Sequence, residues 1–340
     1  MNLVTGATGL LGSHVVLKLL QQGKTVVAGK REHSDVTKVK ELFSYYVPNA
    51  DDLFNKIKWV NLDVSDIFSI EDALDGIENV YHCAGFVSFQ EKDIEKMRRI
   101  NEIGTANLVN GSLSKNIKAF CHVSSLSTIN NNDYSGQLTE RVFWKTSGKE
   151  SAYTISKYNS EREVWRGIEE GLNAVIVNPG IILAPGYWDQ SSGKLFSFCK
   201  KGNRFYTDGS TGYVSAMDVA EAMTKLIDKC IFNERFILIE GIYSFKDILT
   251  SIQKAFNKQP PKIKIGLFLL HLGRIMDSIF SKLSGKDRIL TKEIVQSSIG
   301  HKDYSNEKIR NTIQFTFSPI NSVIETICSQ LNSVTKGHKI

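Results

Sequence analysis

Tyr153 and Lys157 stand four residues apart in Tyr153-Thr154-Ile155-Ser156-Lys157, at the start of a helical pattern that runs to about Glu170. That spacing puts a phenol and an ammonium on one face of a helix, a turn apart. A free phenol titrates at about 10, too high for proton transfer at neutral pH, and a nearby ammonium lowers that value by stabilising the phenolate. Such a pair can exchange a proton with a carbonyl or an alcohol while hydride moves to or from a nicotinamide. Tyr-x-x-x-Lys also occurs on ordinary solvated helix faces, so its meaning depends on what accompanies it. Ser124-Ser125 directly follows the strand candidate Ala119–Val123. A hydroxyl at the carboxyl end of a central strand can hydrogen-bond the same substrate oxygen.

A second constellation lies at the N-terminus. Thr5-Gly6-Ala7-Thr8-Gly9-Leu10-Leu11-Gly12 separates a short strand pattern from an amphipathic helix pattern. Glycines at 6, 9 and 12 permit a tight turn, close approach of backbone to ligand, and close packing of helix on strand. The helix N-terminus then offers N–H groups and a positive dipole end to a pyrophosphate. The next strand pattern ends Val26-Val27-Ala28-Gly29-Lys30-Arg31-Glu32. An NAD site places an acid there for the ribose 2′-hydroxyl. Here two cations occupy the position, and the Arg31 guanidinium can grip a 2′-phosphate through two parallel hydrogen bonds. NADP is the expected cofactor; NAD, with Glu32 on the ribose, is the alternative.

The elements that must position these groups alternate over the first 180 residues. Strand patterns at Asn2–Val4, Thr25–Ala28, Lys58–Leu62, Asn79–Cys83, Ala119–Val123 and Ala174–Asn178 are separated by helical spacings such as Leu11, Val15, Val16, Leu19 and Leu20. Alternation of this kind predicts an α/β fold, a doubly wound parallel Rossmann sheet with helices on both faces. After Asn178-Pro179-Gly180 the loops lengthen and the aromatics gather, which predicts a smaller C-terminal α/β substrate lobe. The expected division is a nucleotide-binding domain over 1–180, rejoined by 213–235, and a substrate lobe from 181–212 and 236–335. Within that lobe a return strand is expected at Phe236–Ile239, then a helix near Phe245–Phe256. Beyond Pro260-Pro261 comes a helix with Leu272, Ile275, Met276, Ile279 and Leu283 on one stripe. The stripe is assigned to packing within the lobe rather than to a membrane surface, even though Lys262, Lys264, Arg274, Lys282 and Lys286 surround it.

Composition narrows the function classes. Of 340 residues, 41% are hydrophobic and 23% charged, as in ordinary globular proteins. The net charge of +6 comes from Lys and Arg spread along the chain, which argues for an anionic ligand and against a nucleic-acid partner. Five cysteines (Cys83, Cys121, Cys199, Cys230 and Cys328) lack paired spacing, so no metal site is expected and a reducing compartment is. The opening residues show no basic region ahead of an apolar core, and the longest apolar run, Ile265 to Gly273, is too short to span a bilayer. The chain is read as cytoplasmic.

Taken together, these motifs resemble the extended short-chain dehydrogenase/reductase family, the NAD-dependent epimerase/dehydratase group. Thr5–Gly12 is similar to its TGxxGxxG loop, Asp63-Val64 to the pair that holds adenine, and His82-Cys83-Ala84-Gly85 to the strand end beside the cofactor ribose. Asn101 in Asn101-Glu102-Ile103-Gly104 resembles the family's Asn that supports the active site. Asn178-Pro179-Gly180 resembles the turn around the nicotinamide amide, and Tyr213–Ala220 a late motif leading into the substrate lobe. The resemblance makes Ser125, Tyr153, Lys157 and Asn101 the catalytic set, and implies that Lys157 also grips the nicotinamide ribose. It also implies a homodimer through the helices that include Asn101–Leu113 and Tyr153–Glu170.

The branch most resembled is that of dihydroflavonol reductases, aldehyde/ketone reductases and hydroxysteroid dehydrogenases, through the basic strand end and Asn178-Pro179. Leu126-Ser127 stand where dehydratases carry Asp-Glu, which disfavours elimination of water. Thr211-Gly212 stand where sugar-nucleotide epimerases place a cation, with Arg204 nearby as a substitute. The expected activity is NADP(H)-dependent reduction of a small-molecule aldehyde or ketone, or oxidation of the corresponding alcohol, with Tyr153 as proton donor. An NAD-dependent sugar-nucleotide epimerase and a dinucleotide-sensing regulator are the alternatives. Tyr187, Trp188, Phe196, Phe205 and Tyr206 are candidate pocket walls.

Overall fold

A computed structural model describes residues 1–130, 136–148, 150–284, 288 and 291–337. Its centre is a seven-stranded parallel sheet in the order β3-β2-β1-β4-β5-β6-β10. The strands are β1 (Asn2–Thr5), β2 (Val26–Lys30), β3 (Lys58–Asn61), β4 (Asn79–His82), β5 (Ala119–Val123), β6 (Ala174–Pro179) and β10 (Glu234–Leu238). β6 is buried along its whole length, and its Val175-Ile176-Val177 run is apolar on both faces, as a strand covered by helices on both sides must be. Parallel strands need crossover connections, and the intervening helical segments supply them. On one face Leu10–Gln21 packs against Ala216–Asp228, with Val15, Val16, Leu19, Ala222, Met223 and Leu226 in the seam. On the other lie Ile67–Ala73, Gly104–Ser114 and Ala152–Glu169, burying Ile70, Leu108, Val109 and Val164. Strand order reverses between β1 and β4. The crevice at such a reversal, at the carboxyl ends of the strands, is where open α/β sheets take ligands.

The second lobe carries two small sheets. One joins β11 (Gly241–Ser244), β9 (Ser210–Ser215) and β7 (Ile181–Leu183); the other pairs β8 (Phe205–Tyr206) with β12 (Ile263–Lys264). Its core gathers Leu183, Phe196, Tyr213, Ile248, Ile252 and Ile324. Asp218 ties the lobe to the first domain by accepting hydrogen bonds from the Ser318 N–H and hydroxyl, both at 2.8 Å.

Two expectations are corrected. Residues 236–238, placed with the lobe by the sequence, pair with β6 and end the central sheet. The reason is that Phe236 and Leu238 are apolar on the face that the main core covers. The apolar stripe of the helix Leu267–Ser284 does not pack inward: Leu272, Ile275 and Met276 are exposed. The side chains of Ile279, Lys282 and Leu283, and Lys286 as a whole, lie outside the described residues.

Three histidines are buried in this frame. Thr105 donates to the Asn101 carbonyl, so its hydroxyl accepts from His82 Nε2–H at 2.9 Å. His82 Nδ1 then accepts from Thr5 Oγ1 at 2.8 Å, and Thr5 in turn accepts from Ala84 N–H at 3.1 Å. This chain pins β1, β4 and the helix Gly104–Ser114 together and requires a neutral ring. Burial pushes His82 down to about 3 and His14 to about 4, and lowers His122 strongly. In the unfolded chain these groups take protons near the ordinary value of 6.5. Their contribution to stability is therefore complete above that value and is lost as the pH falls towards the folded values. Urea midpoints should drop between about pH 7 and about pH 5, and His82→Gln should flatten that drop. A midpoint constant over that interval in the unsubstituted protein would contradict the account.

Candidate active site

The phosphate loop leaves β1 at the point of strand reversal. Gly6 adopts φ +63, and a Cβ there would stand 2.7 Å from the Ala84 backbone. A Cβ on Gly12 would stand 2.1 Å from the Gly6 carbonyl. Both positions are therefore closed to any side chain, and the backbone lies bare over the crevice. Gly9 caps the helix Leu10–Gln21 and closes the turn by donating to Gly6 O at 2.9 Å. No side-chain cap satisfies the first-turn N–H groups of Leu10, Leu11 and Gly12, which leaves a donor set suited to a pyrophosphate. Thr8 takes part through its carbonyl, which accepts from the Tyr187 hydroxyl at 2.6 Å.

A crevice of about 600 Å³ opens beside the ends of β2 and β3, lined by Arg31, Glu32, His33, Asn61 and Asp63. Arg31 is exposed there, and its guanidinium acts on the Asp63 carboxylate. Burial raises Asp63, but hydrogen bonds from the Ser65 hydroxyl and N–H, with Arg99 and Arg31, outweigh it and hold the carboxyl below its usual range. Val64 packs against Gly104 on the adjoining helix. A basic residue beside an ionised acid at the strand ends fits the adenosine half of a dinucleotide, so the residues present suit the cofactor that the loop implies.

The helix Ala152–Glu169 starts at Ser151, whose hydroxyl accepts from Thr154 N–H at 3.1 Å. It carries Tyr153 and Lys157 along the sheet's carboxyl edge. The Ser125 hydroxyl accepts from Ser127 N–H at 3.2 Å and pulls the neighbouring Tyr153 phenol down in part, and Phe89 meets the Tyr153 ring edge-on at 5.9 Å. Lys157 is 6% exposed and donates from Nζ to the Val123 carbonyl at 2.6 Å. Burial pushes its ammonium down to about 8, against the upward pull of Glu161 and Cys83. The expected lowering of Tyr153 by Lys157 is not what the side chains show. Burial raises the phenol, Ser125 pulls it back in part, and the Lys157 ammonium spends a hydrogen bond on a main-chain carbonyl. Desolvation wins because the phenol is enclosed while the ammonium points to the strand end. A phenol is protonated at neutral pH, the form that donates, and burial acts in the same direction.

The two serines divide. Ser124 is buried and donates to Glu161 Oε2 at 2.7 Å, whereas Ser125 is half-buried and neighbours Tyr153. Asn101 lies in a π-helical turn, Arg98–Ile103. Its Oδ1 accepts from Phe86 N–H at 2.7 Å, and its Nδ2 donates to Phe86 O and to Ser156 Oγ, each at 2.9 Å. Asn101 therefore fastens the Cys83–Phe86 strand end, including Ala84 and Gly85, to the Tyr153 helix; it does not face open space. The Cys83 thiol is pushed up to about 12 by burial, which leaves it unreactive. His82 spends both ring nitrogens on the pin described above. Asn178 spends its amide N–H groups on the frame: Nδ2 donates to Thr128 Oγ1 at 2.9 Å and to Glu161 Oε2 at 3.0 Å. Pro179 and Gly180 follow at the end of β6, and Gly180 N–H donates to Leu238 O at 3.1 Å.

Glu161 and Arg235 were missed in the sequence. Glu161 Oε1 accepts from Arg235 Nη1 at 2.9 Å, and its Oε2 accepts from Ser124, Thr128 and Asn178. Burial raises this carboxyl, but Arg235 and the two hydroxyls outweigh it and hold it low. The available signal was spacing: Glu161 extends the Tyr153–Lys157 stripe by one more turn. The proposed aromatic walls are mostly placed elsewhere. Phe196 is core, Trp188 packs beside that core, and Phe205 and Tyr206 form the small sheet with Ile263 and Lys264. Phe89 takes the wall position instead, because the loop after β4 folds back under the hold of Asn101. Arg204 is exposed next to Phe205.

A sequence model of the NAD dependent epimerase/dehydratase family matches residues 2–236. The chain is 30% identical over 280 residues to sterol demethylase protein B of Methylococcus capsulatus, covering 79% of this chain and 80% of that one. It is 31% identical over 198 residues to dihydroflavonol 4-reductase of Arabidopsis thaliana, covering 54% of this chain and 49% of that one. The crystal structure of gox2253 superposes with a TM-score of 0.81 at 23% identity, covering 98% of each chain, which bears on the fold. With the dinucleotide crevice and the side chains above, these likenesses make the chain an enzyme of the NAD(P)-dependent oxidoreductase and epimerase class, a member of the NAD-dependent epimerase/dehydratase family.

Proposed function

We propose that the chain is an NADP(H)-dependent reductase of a small-molecule aldehyde or ketone, working in reverse on the corresponding alcohol. The observation that carries this reading is the placement of Ser125, at the head of the turn Leu126–Thr128 that packs on the Tyr153 helix, together with Lys157 buried at the end of β5. Gly6–Gly12 and the helix N-terminus would hold the pyrophosphate, Asp63 and Val64 the adenine, and Arg31 the 2′-phosphate. The bound nicotinamide supplies the hydride. Ser125 and Tyr153 hold the carbonyl oxygen by two hydrogen bonds, and Tyr153 gives it a proton. Lys157, held at the end of β5 by the Val123 carbonyl, would grip the nicotinamide ribose. Phe89 excludes water from one side. The dihydroflavonol 4-reductase relative supports a carbonyl reductase by name. The epimerase alternative draws on Glu32 in the same crevice as Arg31, which would suit NAD. A tightly held NAD with no net consumption marks an epimerase, whereas loss of added NADPH marks a reductase. A dinucleotide sensor has no need of the paired hydroxyls.

Tyr153→Phe should lower kcat by roughly 10²- to 10⁴-fold and leave the NADPH Kd unchanged, by stopped-flow turnover and calorimetry. Full turnover in that variant removes Tyr153 from the chemistry. Arg31→Ala should weaken NADPH by roughly 10- to 100-fold and leave NADH unaffected, since only the former offers a phosphate to the guanidinium. Equal losses for both cofactors would refute the NADP assignment. Because Glu161 pulls the Lys157 ammonium up against burial, Glu161→Gln should move the alkaline limb of kcat from about 8 to lower pH. An unmoved limb would mean that Lys157 does not set it.

A further inference from the structure

The helix Leu267–Ser284 is inside out. At a protein surface the apolar stripe of a helix turns to the core and the charges turn to water. Here Phe268, Leu272, Ile275 and Met276 follow the i, i+4, i+7, i+8 spacing of one face, and that face points outward, with Phe268 80% and Met276 64% exposed. The inward face carries Leu270, which is buried, and the half-buried Gly273, Arg274 and Asp277. The apolar surface continues on the strand just before the helix. Ile263 on β12 and its register partner Phe205 on β8 are both exposed, side by side on one face. Exposed apolar side chains gathered on one face in this way mark an interaction site on a globular protein.

Charge says what covers it. The stretch 258–288 holds seven cations and two acids, a net charge of +5 in a chain whose whole net charge is +6. Lys262 and Lys264 flank Ile263, and both Lys262 N–H and Ile263 N–H donate to the carbonyl of exposed Arg204 on the neighbouring strand. Lys264 also pairs with Asp208. The matching surface is apolar beneath and anionic at its rim, which is the interface of a bilayer containing acidic lipids. No helix among the described residues is long and apolar enough to cross a membrane, so the segment would lie flat. A second copy fits less well, because it would bring the same basic stretch against itself.

We propose that the outward face of Leu267–Met276, together with the basic strand Lys262–Lys264, docks on the surface of an anionic lipid bilayer. The face is joined to the catalytic cleft. Arg288 reaches the Arg274 carbonyl at 3.4 Å, and its own carbonyl accepts from Gln90 Nε2 at 2.7 Å, next to the Phe89 that meets Tyr153. The helix is thereby linked to the loop that carries Phe89. The docking rests on the exposed face alone and is independent of the reductase reading.

The test is co-sedimentation of the full chain with vesicles of phosphatidylcholine alone and of phosphatidylcholine mixed with phosphatidylglycerol, with NADPH turnover of a water-soluble aldehyde followed separately. Binding to the mixed vesicles is expected, weakened by added salt. Phe268→Ser should reduce the partition coefficient about tenfold and Lys262→Glu roughly fivefold or more, with turnover in solution unchanged. Both substituted positions are exposed, so folding is retained. Failure to pellet with acidic vesicles, or pelleting that neither substitution weakens, overturns the proposal. A dimer seen by light scattering that Phe268→Ser dissociates, without vesicle binding, assigns the face to a second copy and overturns it as well. Absent turnover with intact vesicle binding would remove the reductase reading and leave the docking standing.

Discussion

Glu161 sits one turn beyond Lys157, and its carboxylate is where three strand ends of the central sheet meet. Ser124 reaches it from the end of β5, Asn178 from β6 and Arg235 from β10, while Thr128 adds the loop behind Ser125. The ion pair with Arg235 is almost completely withdrawn from water. Removing one partner of such a pair strands the other charge and costs about 3–5 kcal/mol. Arg235 is held on its far side by the carbonyls of Glu140 and Val142, so the net also ties down the segment that leads to the Tyr153 helix. The end of β5 at Ser124, the turn behind Ser125 and the seat of the edge strand all rest on this one acid.

Much of the fold was legible because its strands are simple. A buried parallel strand needs only a short, mostly apolar run, and Ala119–Val123 and Ala174–Asn178 read directly as such. The glycine loop was equally plain, since a turn that excludes every Cβ can be written with few residues. The crossing of Phe236–Leu238 back into the central sheet was not legible. A short apolar run carries no mark of which sheet receives it, and long-range pairing with β6 decides.

The site was legible in its parts and obscure in its electrostatics. Tyr153, Lys157 and the serines lie together at one edge, but the sequence could not show that desolvation outweighs the ammonium at the phenol. That balance depends on enclosure by Phe89, which lies on a loop sixty-four residues upstream of Tyr153. Asn101, His82 and Asn178 carry the family's motifs, yet their side chains serve the frame and not the open cleft. The helix Leu267–Ser284 shows the opposite failure. Its period was read correctly and its orientation was not, because a stripe of apolar side chains records a face without saying whether protein or another medium lies against it.

The shared carboxylate also has a consequence for descent. A lineage that loses Arg235 leaves an unneutralised acid under three strands, and one that loses Glu161 leaves a guanidinium with only main-chain oxygens to answer it. Neither intermediate is a comfortable stopping point between two functional sequences. Substitution at 161 and at 235 should therefore be concerted across related genes, with an apolar pair as the natural replacement, even though seventy-four positions separate them along the chain.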